Sequence, residues 1–132
     1  MKFVRLAIAL LTLVTLATAQ DTLSGKWKIT WLQGGKPNIV NLTEDIKGHI
    51  SGTYINDAKE SCPVAGNTDK DIILVVICPS WSIAMAGHYD HAMGEPSDEV
   101  VGKYLAFGTT SGTFRMDRQI CMLPEGCTGE TK

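Results

Sequence analysis

Hydrophobic and polar residues alternate with a period of two along most of the chain beyond residue 24, and no stretch sustains apolar positions at i, i+3, i+4 and i+7. The run "SGKWKITWL" (24–32) shows the pattern: Trp27, Ile29 and Trp31 fall on one face, and Lys26, Lys28 and Thr30 on the other. A strand with one side in a core and one in water reads this way. The same alternation, broken by turn-forming residues, predicts eight strands, at 25–32, 38–43, 48–56, 61–66, 71–78, 81–88, 99–107 and 112–118.

The connections "QGGKP", "EDIKG", "NDAKE", "NTDKD", "PS" and "GTTSG" are short and carry the Gly, Pro, Asn and Asp that tight turns need. Neighbours in sequence are therefore expected to pair as hairpins. Reading "GTTSG" as the last turn sets Ala106 opposite Phe114 and Tyr104 opposite Met116, with one face of that hairpin apolar. Eight antiparallel strands with one apolar face can close on themselves and lose their exposed edges. The fold class expected is all-β, an eight-stranded antiparallel up-and-down (meander) β-barrel; strand count alone leaves a two-sheet sandwich open. The strand "DIILVVIC" (71–78) is apolar on both faces, so its outer side calls for a cover, from the C-terminal tail or a second subunit. An oligomer is compatible with that.

The N-terminus changes the picture of where the chain works. Lys2 and Arg5 precede a mostly apolar run, Leu6 to Leu16, and Ala17-Thr18-Ala19 forms a small-x-small cleavage site. The expected organisation is a signal peptide at 1–19, a barrel domain at 20–118 and a C-terminal tail at 119–132, in a secreted or periplasmic protein. No later segment is long enough for a spanning helix, so no membrane association is expected after signal cleavage. What remains suffices for one domain with one core. Losing Lys2 and Arg5 takes the formal net charge from −2 to −4, and no basic run occurs, which argues against nucleic acid as a partner.

All four cysteines follow the signal, and an exported domain with an even count is read as holding two disulfides. Cys62 and Cys78 flank "NTDKD" symmetrically about position 70, where directly opposed hairpin residues fall, and Cys121 and Cys127 enclose "MLPEG". The expected pairs are Cys62 with Cys78 and Cys121 with Cys127. Zinc is the rival reading, but gaps of 15 and 5 residues match no C-x2-C arrangement.

Candidate chemistry is sparse. "GHYDHAMGE" (87–95) gathers His88, Asp90, His91 and Glu95, donors that suit a divalent metal. His88 and His91 are three apart and point to opposite faces of a continuing strand, so the segment reads as a polar loop and no metal ligand is assigned. The connection at about 89–98 is the longest inside the barrel, and such loops at a mouth shape ligand access. No G-x-S-x-G occurs and nothing sets a base beside a nucleophile; no catalytic residue, enzyme activity or cofactor is expected. "NLT" (41–43) fits an N-glycosylation sequon, which requires Asn41 to face solvent if it is used.

Gly25-Lys26-Trp27 opening the first strand and "GTFRMDR" (112–118) closing the last resemble the calycin superfamily, the lipocalins, avidins and related small barrels. The resemblance implies structural roles: Gly25 and Trp27 at the closed end, with Arg115 or Arg118 stacked across the indole. "LSGKW" and "GHISGTY" look somewhat like the avidins, with Tyr54 where a biotin-contacting tyrosine would fall. Ile29 stands where avidins carry an asparagine, and the later tryptophan pair is missing, so the motif does not make a biotin binder.

An eight-stranded barrel is either filled by its side chains or just wide enough for one small ligand. The inward aromatic candidates are Trp27, Trp31, Tyr54, Trp81, Tyr104 and Phe114. Trp31 lies about 13 Å along the strand from Trp27, toward the other rim. Ligand contacts are therefore expected at Trp31, Tyr54, Trp81 and Tyr104. The leading expectation is a non-catalytic barrel binding a small, largely apolar molecule at its mouth. The second is a module that binds a secreted protein, such as an extracytoplasmic hydrolase inhibitor, through "ICMLPEGC" (120–127); the third is a structural domain with a filled barrel.

Overall fold

The structure, a computed structural model, describes residues 21–90 and 98–119. The expected signal peptide at 1–19, His91, Glu95, the expected Cys121–Cys127 pair and the tail beyond Gln119 lie outside the described residues. Eight strands follow one another: β1 Gly25–Trp31, β2 Asn38–Glu44, β3 His49–Ile55, β4 Ser61–Asn67, β5 Ile72–Ile77, β6 Ser82–Tyr89, β7 Glu99–Ala106 and β8 Thr110–Arg118. Each pairs antiparallel with its neighbours, and β8 returns to β1, which closes the barrel in meander order. That last pairing rules out a two-sheet sandwich. No helix among the described residues is long and apolar enough to cross a membrane.

Because strand direction alternates, so does the end at which each connection lies. Segments 45–48 and 68–71, the end of β6 and the start of β7 lie at the end where β1 begins, the base; 32–37, 56–60, 78–81 and 107–109 lie at the other, the mouth. The longest connection, of which 91–97 lie outside the described residues, therefore leaves and rejoins the barrel at the base and not, as its length suggested, at the mouth. Its flanks are tied there: the Asp90 N–H donates to the Glu99 carbonyl at 3.0 Å, and Asp98 accepts from Arg118 Nε at 2.8 Å.

Trp27 plugs the base. Its ring is fully buried, and its indole Nε1–H donates to the Leu23 carbonyl at 2.9 Å. Arg118, its direct partner across the β1–β8 seam, lays its guanidinium 4.3 Å from the ring centroid. The same fork donates to the carbonyls of Ser24 and Thr22, so the last strand holds the segment leading into the first. Arg115 instead pairs with Asp117, two residues on, and both are substantially exposed. Gly25 has φ +133°, and a Cβ there would lie 3.2 Å from Arg118 Nη1. Glycine is required for its backbone angle and to leave room for the guanidinium. Above Trp27, side chains including Leu42, Leu74, Met85, Phe114 and Met116 fill the interior with apolar atoms.

Cys62 and Cys78 form a disulfide with their Cα atoms 4.8 Å apart. The pairing Val64↔Val76 has the symmetry about position 70 that the sequence implied, and the bridge continues it one step toward the mouth. A disulfide of this kind fits an oxidising, extracytoplasmic environment.

The β7–β8 hairpin differs from expectation. Its turn is Phe107-Gly108, not "GTTSG": both have positive φ, +56° and +73°, and the Thr109 N–H donates to the Ala106 carbonyl at 3.2 Å. Three residues, 107–109, therefore separate the first paired residues of the hairpin, with the left-handed pair Phe107-Gly108 bending the chain. Ala106 thus pairs with Thr110, Tyr104 with Gly112, Gly102 with Phe114 and Val100 with Met116. The displacement of four residues leaves every side chain on its expected face, because facing repeats every two residues. It sets two aromatic rings across from glycines, so large and small residues alternate inside the barrel. On the outside, Ile73 and Ile77 of β5 and Leu105 of β7 remain exposed.

Candidate functional site

Between the packed base and the mouth loops the barrel opens into a cup of about 510 Å3. That volume falls in the range of small-molecule sites. Trp31 at the end of β1, Tyr54 near the end of β3, Trp81 on the 78–81 loop and Tyr104 on β7 all line it. The four aromatic residues singled out in the sequence thus meet around one cavity. Phe107, from the last turn, joins them on the rim.

The rings are arranged in perpendicular pairs. Trp31 meets Tyr104 with centroids 4.8 Å apart and planes at 71°; Tyr54 meets Trp81 at 5.7 Å and 88°. Edge-to-face contact satisfies the ring quadrupoles while leaving one face of each pair open. Phe107 leans on Trp81 at 5.8 Å and 48° yet is 61% exposed. A bulky side chain held in the left-handed region at φ +56° is strained, and such strain gathers at functional sites.

Local hydrogen bonds fix each wall. Asn38, nearly fully buried at the start of β2, accepts from Trp31 Nε1 at 2.8 Å. Its Nδ2 donates to the Ile55 carbonyl at 3.2 Å and to Asp57 Oδ1 at 2.9 Å. This one amide ties β1 and β2 to the β3–β4 turn. It also uses the indole N–H, which leaves Trp31 no free donor toward the cavity. Asn56 closes the same turn: its N–H donates to the Glu60 carbonyl, and its Oδ1 accepts from the Glu60 N–H at 2.8 Å. Trp81 is held from behind, since its carbonyl accepts the Cys78 N–H at 2.9 Å, next to the disulfide.

Tyr54 is buried against the floor, and its hydroxyl makes no hydrogen bond among the described residues. Burial pushes its phenol well above the ordinary tyrosine range, and the nearby Asp57 carboxylate pushes it further. It stays a neutral hydroxyl, open to a ligand. Asp57, Glu60 and Lys36 supply the charges of the rim.

Asn38 and Phe107 are contributors that the sequence reading did not single out. Asn38 shares the inward parity of Val40 and Leu42, so a polar residue on the buried face was the available signal. Phe107 carried none beyond its neighbour Gly108. Elsewhere, His88 lies exposed on β6, and no group of three His, Cys, Asp or Glu among the described residues is placed to hold a metal ion. Asn41 is exposed on the outer face of β2, opposite Lys26. A second hollow, of about 670 Å3, lies outside β1–β3 and is lined by Lys26, Lys28, Lys36 and Lys59 instead of aromatic rings. Comparison with family models, curated proteins and solved structures finds no match to this chain.

Proposed function

We propose that this chain is an exported, non-catalytic binding protein that takes a small, largely apolar ligand into the cup at the barrel mouth. The observation that carries the reading is the convergence of Trp31, Tyr54, Trp81 and Tyr104 on one cavity of about 510 Å3 above a filled base. A concave, aromatic site with few polar groups is the usual form of a small-molecule pocket. Absence of catalysis is supported by how the cup uses its polar side chains: Asn38 and Asn56 hold loops, and no histidine or free cysteine is among the described residues that line it. The Cys62–Cys78 bridge supports export. The indole of Trp27 beneath Arg118 supports kinship with the calycin barrels.

The test is to incubate the oxidised protein, expressed with its leader and purified after export, with a mixed metabolite extract and to record native mass spectra. A reproducible small-molecule adduct, lost in Trp31→Ala but retained in the exposed variant Lys103→Ala, is the expected result. Protein that emerges empty from repeated incubations overturns the proposal.

A further inference from the structure

We propose that the ligand of the cup is an organic cation, an ammonium or alkylated ammonium group on an apolar body. The inference rests on the small-ligand reading above and narrows it by charge. Its first support is geometric. Two perpendicular ring pairs, Trp31–Tyr104 at 71° and Tyr54–Trp81 at 88°, line the same space. The face of an aromatic ring carries the negative end of its quadrupole, so walls of this kind attract a cation that has shed part of its water.

The second support is the charge of the β3–β4 turn. Asp57 and Glu60 both line the cup, while Lys59, between them, adopts φ +64° and lines the hollow outside β1–β3. Asp57 also borders the outer hollow, but of the three charged side chains of the turn only the two carboxylates line the cup. Asp57 is held in place by Asn38 Nδ2 at 2.9 Å, and its field reaches the Tyr54 phenol, which it pushes in the direction expected of a nearby anion. Lys36 is the one cation among the residues lining the cup, and it also borders the outer hollow, at the edge where the two meet.

The third support is the hydroxyl of Tyr54. The ring behind it is almost completely buried, while the oxygen itself is accessible and has no hydrogen-bond partner among the described residues. A phenol oxygen offers lone pairs to an ammonium N–H, and its neighbour Asp57 supplies the compensating charge. The Trp31 indole N–H, which would otherwise attract an anion or a carbonyl, is already bonded to Asn38. A head group of a few heavy atoms leaves most of the 510 Å3 for an apolar body, which the remaining ring faces and Ile83 would cover.

Three indoles of similar size with cationic, neutral and anionic side chains separate this inference from the reading it rests on: tryptamine, indole-3-ethanol and indole-3-acetate, titrated at neutral pH by calorimetry. Tryptamine is expected to bind at least about tenfold more tightly than the neutral alcohol, with the acetate weakest. In Asp57→Asn/Glu60→Gln the ratio of the first two affinities is expected to fall to within about twofold. If the alcohol equals the amine, or the acetate binds best, the cation inference is overturned while the small-ligand reading stands. If none of the three binds at about millimolar concentration, the aromatic cup is not a ligand site of this kind, and both fail.

Discussion

Arg118 joins three parts of the base through one guanidinium, and its removal has a calculable cost. Arg118→Ala deletes the stacking on Trp27, at 4.3 Å, worth about 1 kcal/mol for a partly buried pair. It also deletes charge-assisted hydrogen bonds to the carbonyls of Ser24 and Thr22, at about 1 kcal/mol each once water replaces part of what is lost. The ion pair with Asp98 adds little, because that carboxylate is 57% exposed. The expected loss is about 3 kcal/mol, or about 10–20 °C in Tm for a domain of this size. Arg118→Lys keeps the charge but not the planar fork, and is expected to recover less than half of it. Arg115→Ala, on the exposed pair with Asp117, is expected to cost no more than about 0.5 kcal/mol. Urea unfolding followed by tryptophan fluorescence measures all three, with an unchanged m-value required for comparison. An Arg118→Ala variant within about 1 kcal/mol of wild type, or one matched by Arg115→Ala, refutes this account of the base.

Replacing both Cys62 and Cys78 by alanine opens a loop with a sequence separation of 16, and chain entropy sets the expected cost at about 3 kcal/mol. A midpoint shift in urea worth less than about 1 kcal/mol sinks that estimate. Asn38→Leu strands the Trp31 indole N–H in a nearly closed site and is expected to cost about 2 kcal/mol, read as a lower urea midpoint; a neutral result would mean that the amide holds nothing. Asp45 sits below the ordinary aspartate range because the backbone N–H of His49 donates to it, with help from the Lys47 N–H and the His49 ring. Its folded pKa is depressed, so its contribution to the turn is present in full above the unfolded value and lost as pH falls through the lowered one. A carboxyl NMR titration should show its midpoint below that of a model aspartate, and a midpoint at or above it contradicts the turn geometry.

The eight strands were legible because each half-buried strand writes its facing into the sequence at a period of two, and the loops between them carry the residues that turns require. The Cys62–Cys78 pair was legible for the same reason, since symmetry about 70 is a register statement. Register in the last hairpin was not. "GTTSG" carries two glycines and reads as a turn, whereas the actual turn places a phenylalanine at positive φ, which no propensity favours. The cup's four aromatics were named individually; that they share one cavity depends on stagger around a closed barrel, which a linear pattern does not encode. Asn38 was hidden by its type, because a polar residue near a loop reads as exposed until its three hydrogen bonds are seen. That β6 ends and β7 begins at the base was available by counting, since even-numbered connections of a meander start and finish at the end where the first strand starts.

Both ends of the barrel leave from one pole. Arg118 grips Thr22 and Ser24, and the Gln119 N–H donates to the Lys26 carbonyl at 2.8 Å, so entry and exit lie side by side at the pole opposite the cup. Any tether or fusion joined at either end of the barrel therefore attaches at the pole opposite the mouth. A surface display anchored there would present the cup outward, and a short peptide linking 22 to 119 should permit new termini to be cut elsewhere. Of the four mouth loops only 32–37 reaches the closing seam, where Leu32 and Gln33 bond to Thr113 of β8, so the sequences of 56–60, 78–81 and 107–109 can be changed without disturbing it.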